Sequence, residues 1–574
     1  MMRRKKLMAI MSFSISLAIM IPGIGIGYDL PADRKITWKA GIPGGIPNRT
    51  TIFANVKESP YLAKGDGTTD DRAAIQDAIN DCPVGQVVLL PAGTYRINGE
   101  LAITKGIVLR GEGPESTRIR LFGSSTNIIR IGSSYSGSST SVSSGMQKGS
   151  TSLTVTNSSI FKANDLLLID QLNDPALVAK GDCTWCSRDS GNRAMGQIVE
   201  VKSINGNSIS IDPALYYSFS GSLSPQAVKV SNNVTKYAGV EDLFVERVNP
   251  GGQRNFFIQY SAYSWLRNVE SYNANEDHVR LRTSFRNEIR DSYFHDGHNF
   301  SGGMAYGVNV FRESSDNLIE NNIFYYLRHS MVTQGGGMGN VFGYNFSDRM
   351  FDPNYPNTNW LMHDIVSHGA HPYMNLWEGN LASCIGPDFT HGSASHDTFF
   401  RNWIDMESEG EGRAINSHLV AVDNHAWNTY MNYVGNVFGT PGMTGSYEAE
   451  GTTCSNSTPY IYKLGYTSSS DCSPSGNDPL VKNSLIRHGN YDYISQNVQW
   501  DPIISDHNLL PSFYLATKPT FFGNKSWPVF GPDVNPMTGV LPAKERFDMI
   551  QSGEAPDDIS PAPPTQLEDQ GSTP

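Results

Sequence analysis

Short apolar runs separated by turn residues extend through residues 60–120. A turn over 65–71 leads into apolar positions with helical spacing, and Asp70 or Asp71 stands where a helix N-cap is preferred. The apolar positions are Ala74, Ile75, Ala78 and Ile79. Strand-like runs follow at 87–90, 94–97 and 107–109. The pattern therefore predicts one helix followed by closely spaced strands.

From residue 250 onward the chain repeats an apolar run, an asparagine and a second apolar run. The repeated positions are Asn268, Ser292, Asn322, Asn345, Asn380, Asn402 and Asn436. By subtraction their spacings are 24, 30, 23, 35, 22 and 34 residues, so three coils are near a minimal length and three carry inserts. An asparagine at a turn can bond to the same turn of the next coil. The repeat predicts three-stranded coils, with the asparagine between the second and third strands and inserts after the third.

The N-terminal pattern is similar to that of a known family. GDGTTDDRAAIQDAI, VVLLPAGTYRI and IVLRGEG, within residues 63–113, resemble the N-terminal cap of the pectate-lyase superfamily. The resemblance implies a helix that covers the open end of a β-helix, because bare edge strands invite pairing. The expected fold is all-β, a single-stranded right-handed parallel β-helix with an N-terminal capping helix and a small inserted β subdomain. The superfamily includes lyases, glycosidases and phage tailspikes, so the resemblance does not imply one reaction.

Changes in composition divide the chain into segments. Arg3, Arg4, Lys5 and Lys6 precede an apolar stretch over 7–21, which predicts a signal peptide over 1–27; an uncleaved membrane anchor is the alternative. The β-helix domain is expected over 28–552. Within it, short strands at 144–215 predict the inserted subdomain, and 480–545 is expected to wrap the helix. Residues 553–574 are expected to be disordered.

The net charge and the cysteine content indicate which binding partners and which cellular compartment to expect. The formal net charge of −12 disfavours nucleic acid as the main partner. Six cysteines fit an exported protein, so Cys183 and Cys186 are expected to form a local disulfide, and Cys454 and Cys472 to close a loop. No stretch beyond the signal peptide is long and apolar enough to span a membrane. The protein is expected to be secreted, periplasmic or at the cell surface, with a polysaccharide as its partner.

Histidines concentrate in the repeated region. Of 13 histidines, 11 lie between His278 and His425. A single buried histidine more commonly satisfies a backbone group, but the clustering on first strands and inserts predicts a ligand groove between residues 255 and 425. The expected outward residues are His278, Arg280, Arg282, Asn309, His329, Asp364, His368, Asp388 and His391. A slip of one residue in register would move all of them to the other face.

Specific roles can be assigned to some of these residues. The expected catalytic residues are His295, Asp296, His329, Asp364, His368, Asp388 and His391. The expected substrate-binding residues are Arg280, Arg282, Arg312, Arg328, Tyr306 and Trp360. Arginine matches a carboxylate, imidazole titrates near neutral pH, and aromatic rings stack on sugars. The spacing of His363 and His368 matches no zinc motif, so the sequence does not predict zinc.

Three functions fit this set. The leading hypothesis is a lyase or epimerase of an acidic polysaccharide, in which arginine or Ca²⁺ neutralises the uronate and a histidine removes the proton at C5. Asp296, Asp364 and Asp388 are the carboxylates available for Ca²⁺. A hydrolase would instead use two carboxyl groups from Asp348, Asp364, Asp388 and Asp405. A non-catalytic glycan-binding or matrix protein is the third hypothesis. The chain lacks the signature motifs of polygalacturonases and of pectate lyases, so no family's catalytic residues carry over.

Overall fold

The computed structural model describes residues 27–179, 183–352, 359–408, 415–449, 455–470 and 477–553. The predicted signal peptide lies outside them except for Gly27, and the predicted C-terminal tail except for Gly553. Cys454 and Cys472 also lie outside the described residues. The described chain winds as a right-handed parallel β-helix, so the expected fold class is confirmed.

The coils place their strands in parallel sheets. We call the sheet of first strands the groove sheet, and its strands are Leu101–Ile103, Asn127–Gly132, Arg254–Gln259, Asp277–Arg282, Tyr306–Phe311, His329–Gln334 and Ile365–Ser367. The second strands are Ile52–Asn55, Val87–Leu89, Val108–Arg110, Glu288–Arg290, Leu318–Glu320, Val341–Gly343, Leu376–Glu378, Thr398–Phe400, Asn432–Val434 and Ile486–His488. The third strands are Asp66–Asp70, Gly93–Ile97, Thr117–Leu121, Tyr293–Gly297, Ile323–Tyr325, Phe346–Asp348, Leu381–Ala382, Trp403–Ile404, Val437–Phe438 and Asn490–Asp492. Gly239–Arg247 and Trp265–Ala274 run through both the second and third positions.

Smaller elements complete the described chain. Thr235–Lys236 pairs with Ser261–Ala262, and Asn497–Gln499 pairs antiparallel with Asn490–Asp492. Val420–Asn424, Ser446–Glu448 and Tyr460–Leu464 form a further sheet. The α-helices of the described chain are α1 (Arg72–Asp81), α2 (Pro479–Ser484) and α3 (Pro542–Ser552). Short 3-10 helices occur at Asp189–Gly191, Gly221–Leu223 and Thr520–Phe522. Among the described residues no helix is long and apolar enough to cross a membrane.

Two asparagine ladders stack the coils. In the predicted ladder, Asn345 donates its backbone N–H and its side-chain amide to Oδ1 of Asn380, both at 3.0 Å. The same pattern links Ser292, Asn322, Asn345, Asn380, Asn402, Asn436 and Asn490. A second ladder stands five residues earlier in its coils, at Asn287, Asn317, Asn340, Asn375 and Asp397. The predicted place of the first ladder, between second and third strands, is confirmed for these coils.

Asn268 is not part of the ladder. It has a positive φ of 50°, and its amide bonds to Asp242 on the outside of the coil. The next residue, Val269, donates its N–H to Ser292 and therefore holds the ladder position. Ladder residues follow a residue with positive φ, such as Asn321 or Gly379. Asparagine tolerates this left-handed conformation, so the prediction was wrong by one residue at this coil.

The inserted subdomain is a closed antiparallel barrel. Its strands are Ser139–Ser144, Ser152–Val155, Leu166–Asp170, Gly196–Asn205, Ser208–Asp212 and Gln226–Lys229. The barrel spans more residues than the expected 144–215, because its first and last strands both pair with inner strands and with each other. Leu153, Ile169 and Ile209 contribute to its own apolar core. The subdomain therefore folds around a core distinct from that of the β-helix.

The N-terminal end of the β-helix and the outer faces of two of its sheets are covered. Helix α1 buries Ile75, Ala78 and Ile79 against the first coils. The carboxylate of Asp71 accepts bonds from Lys64 and Gly65, so it fixes the preceding turn rather than the N-terminus of the helix. The C-terminal segment packs aromatic side chains on the outer faces of the second and third strands. Those side chains include Phe513, Phe522, Phe530 and Phe547. This packing leaves the groove sheet uncovered by the C-terminal segment.

The first strands do not alternate strictly at their N-terminal ends. His278 is fully buried, and its Nδ1 lies 2.8 Å from the hydroxyl of Ser271 inside the coil, yet the next residue, Val279, also lies in the core. Asp364 and Ile365 repeat this arrangement at the last strand of the groove sheet, Ile365–Ser367. The expectation that His278 and Asp364 point outward is therefore wrong. Arg280 and Arg282 keep their outward positions, because alternation holds beyond the irregular pair.

Candidate functional site

A groove of about 590 Å³ lies over the C-terminal part of the groove sheet. Eight of the residues expected to act on substrate line it: Arg280, Tyr306, Arg328, His329, Trp360, His368, Asp388 and His391. The structure adds lining residues that were not expected: Trp185, Glu276, Gln334, His363 and His425. This volume is in the range of ordinary ligand sites.

Asp388 orients His368 on the groove floor. Nδ1 of His368 donates to Oδ2 of Asp388 at 2.5 Å, and the N–H of Thr390 donates to the other oxygen at 2.8 Å. Burial alone would raise the pKa of Asp388, but the adjacent His368, His425 and the Thr390 N–H outweigh it and hold that pKa well below its ordinary value. The carboxylate therefore stays ionised. It holds the imidazole with Nδ1 protonated and can stabilise a positive charge formed at Nε2.

His329 is held as a neutral imidazole. Its Nδ1 donates to the carbonyl oxygen of His363 at 2.7 Å, which leaves Nε2 with the lone pair. Burial and the nearby Arg328 hold the pKa of His329 well below its ordinary value. The imidazole therefore accepts a hydrogen bond at Nε2.

Tyr306 lies beside both imidazoles. The centre of its ring lies 5.0 Å from that of His329 and 6.5 Å from that of His368. Burial raises the pKa of Tyr306 to about 12, so its hydroxyl keeps its proton at neutral pH. The groove floor thus combines one proton acceptor backed by a carboxylate and one phenol that can donate a proton.

The arginines within the groove already have carboxylate partners. Arg280 forms ion pairs with Asp277 at 2.6 Å and with Glu276 at 3.0 Å. Arg328 pairs with Asp352 and donates to the carbonyl oxygen of Phe300 at 2.9 Å. An acidic ligand would have to compete with these partners. Both side chains are therefore better suited to orient neighbouring groups than to bind a substrate carboxylate alone.

Arg282 and Arg312 form an arginine pair. Both lie at the C-terminal ends of neighbouring strands of the groove sheet, Asp277–Arg282 and Tyr306–Phe311. No carboxylate lies within 4.0 Å of either guanidinium in the described chain. Burial and the neighbouring charge of Arg282 lower the pKa of Arg312. Their sequence neighbour Glu313 does not neutralise them, because burial and Asp170 raise its pKa to about 8. At neutral pH this arginine pair therefore offers uncompensated positive charge to an anion.

Replacing Glu313 with glutamine should remove a pH dependence of stability. The folded-state pKa of Glu313, about 8, lies above its ordinary 4.5, so its contribution to stability is complete below about pH 4.5 and is lost as the pH rises through 8. Glu313→Gln should match the wild type at about pH 5 and exceed its unfolding free energy by on the order of 2–4 kcal/mol at about pH 9. Denaturant unfolding at both pH values measures this. Parallel pH profiles for the two proteins would contradict it.

The remaining expected residues lie elsewhere. His295 and Asp296 are on a third strand, where His295 bonds to Asp296 at 2.8 Å and to Glu270 at 3.3 Å and stacks on Tyr293 at 4.1 Å. They do not line the groove, because the third strand faces away from it.

Asp364 lies inside the coil. Its carboxylate accepts bonds from the hydroxyl of Ser347 and from the N–H groups of Ser383 and Cys384, and burial raises its pKa to about 7. It therefore acts as a structural acceptor in the core. The described residues do not gather Asp296, Asp364 and Asp388 into one cluster that could hold Ca²⁺. Of the carboxyl groups considered for a hydrolase, only Asp388 lines the groove in the described chain.

Trp185 forms a wall of the groove and was not predicted. It lies between Cys183 and Cys186, which are joined by the expected disulfide. Its side chain is 42 % exposed, and its ring centre lies 5.0 Å from that of His391 and 5.9 Å from that of Phe311. Tyr306 and Trp360, the rings expected to stack on sugar, are only 3 % and 4 % exposed. Trp185 is therefore the aromatic face in the groove best placed to contact a sugar ring.

Trp185→Ala should weaken glycan binding. Loss of one stacking face corresponds to about 0.5–1.5 kcal/mol, or a rise in Kd of roughly 2- to 12-fold. Titration calorimetry with an oligosaccharide measures it. Tyr237→Ala is the matched control, because Tyr237 is similarly exposed, at 39 %, and does not line the groove. Equal Kd values for the two variants would contradict the assignment.

Comparison with known proteins supports the fold. Residues 53–304 match the family described as rhamnogalacturonase A/epimerase, pectate lyase-like. The tailspike gp61 of Pseudomonas phage phi297 superposes with a TM-score of 0.51, at 14 % identity over 77 % of this chain and 74 % of that one. The tailspike gp49 of Pseudomonas phage LKA1 has a TM-score of 0.49 and 17 % identity. The match covers 67 % of this chain and 64 % of the length of that protein. No curated protein matches the chain in sequence. The resemblance to the pectate-lyase superfamily is confirmed.

Proposed function

We propose that the protein is an extracellular lyase that cleaves an acidic polysaccharide by β-elimination in the groove. The observation that carries the proposal is the arrangement of His368, Asp388 and Tyr306 on the groove floor. The matched family is named for enzymes that act on polysaccharides, which supports a glycan substrate. That match ends at residue 304, before His329, His368 and Asp388, so their roles are argued from geometry alone.

The reaction needs a base that is neutral before proton transfer and stable as a cation afterwards. His368 meets this requirement, because the ionised carboxylate of Asp388, bonded to Nδ1, stabilises the imidazolium. Nε2 of His368 takes the proton from C5 of the uronate. The electrons of that C–H bond form the C4–C5 double bond, and the bond from C4 to the glycosidic oxygen breaks.

The leaving oxygen needs a proton. Tyr306 keeps its proton at neutral pH and lies beside His368, so its hydroxyl is the proposed donor. His329, neutral and with a free lone pair on Nε2, accepts a hydrogen bond from a sugar hydroxyl. In this scheme the proton passes from C5 to His368 and a second proton passes from Tyr306 to the leaving sugar. The charges balance when the tyrosinate and the imidazolium exchange a proton through solvent.

The arginine pair supports an acidic substrate. Arg282 and Arg312 stand at the end of the groove sheet near Trp185, whose carbonyl oxygen accepts a bond from Arg312 at 2.7 Å. A uronate carboxylate bound there would relieve the repulsion between the two guanidinium groups. The proposed substrate is therefore a polymer with repeated carboxylates, in which one unit binds at the arginine pair and another reacts at His368.

The test is to incubate the protein with a panel of uronate polymers and with neutral glucans of similar length. We expect ultraviolet absorbance from the unsaturated uronate, together with new chain ends, on at least one acidic polymer. New reducing ends without that absorbance would instead indicate hydrolysis. A changed ratio of C5 epimers without chain cleavage would indicate that the sugar is reprotonated at C5 before the C4–O bond breaks. If no acidic polymer yields unsaturated ends, new reducing ends or C5 epimers, this result would contradict an enzymatic role.

A further inference from the structure

A group of histidines surrounds one carboxylate beneath the end of the groove. His363, His418 and His425 place Nε2 at 3.3, 2.9 and 3.0 Å from Oδ2 of Asp423. All four side chains are buried, and the free thiol of Cys384 lies beside them. One donor atom from each of His363, Cys384 and His418 can be chosen so that all lie within 4.8 Å of one another.

The hydrogen bonds within this group are incomplete. Oδ2 of Asp423 faces three imidazoles, whereas Oδ1 of the same carboxylate has no hydrogen-bond partner among the described residues. Nδ1 of His425 is likewise buried without a partner in the part of the chain that the structure describes. Buried polar atoms are normally paired, because leaving one unpaired costs about 1–3 kcal/mol. The cluster is therefore not explained as a self-contained hydrogen-bond network.

His418 is held in the form that binds a metal. Its Nδ1 donates to the carbonyl oxygen of Leu361 at 2.8 Å, so Nε2 carries the lone pair and faces the cluster. The ring of Trp360 stacks on it at 4.4 Å and 4°, which fixes its plane. A backbone carbonyl on the far nitrogen is the usual partner of a metal-binding histidine.

We propose that His363, Cys384, His418 and Asp423 bind one divalent transition-metal ion of the Zn²⁺ type. Tetrahedral bonds of about 2.0–2.3 Å place donor atoms about 3.3–3.7 Å apart. The separations of 2.9 and 3.3 Å between Asp423 and its two histidines are close to this spacing. Nitrogen and thiolate donors favour Zn²⁺ over Ca²⁺, which takes oxygen ligands.

The ligands come from successive coils, so the ion would join them. His363 precedes the strand Ile365–Ser367, Cys384 follows Leu381–Ala382, and Asp423 lies on Val420–Asn424. Binding converts the thiol of Cys384 to a thiolate, forms one metal–sulfur bond and releases one proton to solvent. His363 also lines the groove, which places the ion directly beneath its floor.

Cobalt provides the test, and it needs no substrate. The full chain is stripped with a chelator and titrated with Co²⁺ while absorbance is recorded. We expect one equivalent to produce a thiolate-to-cobalt charge-transfer band, and one equivalent of Zn²⁺ to abolish it, since Zn²⁺ binds such sites more tightly than Co²⁺. Cys384→Ser should lose the band and weaken Zn²⁺ binding at least about tenfold. Cys82→Ser is the matched control, because Cys82 is the other buried free cysteine of the described chain and should leave both unchanged.

Two results would overturn the proposal. One is the absence of stoichiometric Zn²⁺ binding to the wild-type chain by calorimetry, a measurement that does not depend on any variant folding. The other is a charge-transfer band that survives in Cys384→Ser. Because neither readout involves a glycan, a metal-binding protein without lyase activity would refute the proposed function and leave the metal site standing.

Discussion

His368→Ala is expected to lower kcat for cleavage of the acidic polymer by about 10²–10⁴-fold, the usual contribution of a positioned general base. The proposed base acts on C5 as the C–H bond breaks, so KM should change much less than kcat. Asp388→Asn should have an effect of similar size. An asparagine amide that donates to Nδ1 would place the imidazole proton on Nε2, where the lone pair is required. Steady-state kinetics with the unsaturated product as readout measures both.

Added imidazole and a remote histidine make this test specific. Free imidazole should restore part of the activity of His368→Ala, because the cavity left by the side chain opens to the groove. It should not restore the activity of Asp388→Asn, in which the ring is still present. His507→Ala is the matched control, since His507 is exposed and stacks on Trp500 in the C-terminal segment. Wild-type kcat in His368→Ala would exclude this histidine as the base.

The position of the groove could be predicted because it depends on the repeat. The asparagine ladder orders the coils, and the histidines of the first strands then fall on one sheet. His329 and His368 illustrate this, since both face the groove as expected. The predicted outward positions of His278 and Asp364 were wrong. Strict alternation requires a regular strand, and each of these residues belongs to an irregular pair that places two consecutive side chains inside the coil.

Residues brought in from distant segments could not be predicted. Trp185 reaches the groove from a loop of the barrel, more than 100 positions before the strands that it covers. The ligand set of the proposed metal site spans three coils, so no local spacing reveals it. The second asparagine ladder did leave a signal. Asn317 and Asn340 each stand five residues before a residue of the first ladder, and the same offset recurs in the neighbouring coils.

Asn380→Ala should destabilise the fold by about 3–5 kcal/mol, because it removes the centre of the first ladder. Oδ1 of Asn380 accepts the backbone N–H and the side-chain amide of Asn345, and its own amide donates to the carbonyl oxygen of Phe342 at 2.9 Å. Alanine leaves these groups buried without their partners at a position that has no access to water. Since each coil contacts only its neighbours, the break cannot be compensated elsewhere along the helix. Denaturant unfolding followed by fluorescence measures the loss.

Asn268→Gly tests whether the buried ladder position, and not merely the presence of an asparagine at the turn, stabilises the stacking of the coils. Asn268 is exposed, lies one residue before the ladder and has a positive φ of 50°, which glycine adopts without strain. Only its surface bond to Asp242 is lost, so we expect a change within about 0.5 kcal/mol. Similar losses in both variants would mean that an asparagine at either turn position stabilises equally, and would contradict the ladder as the source of coil stacking. A large loss confined to Asn380→Ala would instead tie the stability of the groove floor to the buried amides. His368 and Asp388, which pair with each other in a parallel bridge, belong to coils that Asn380 joins.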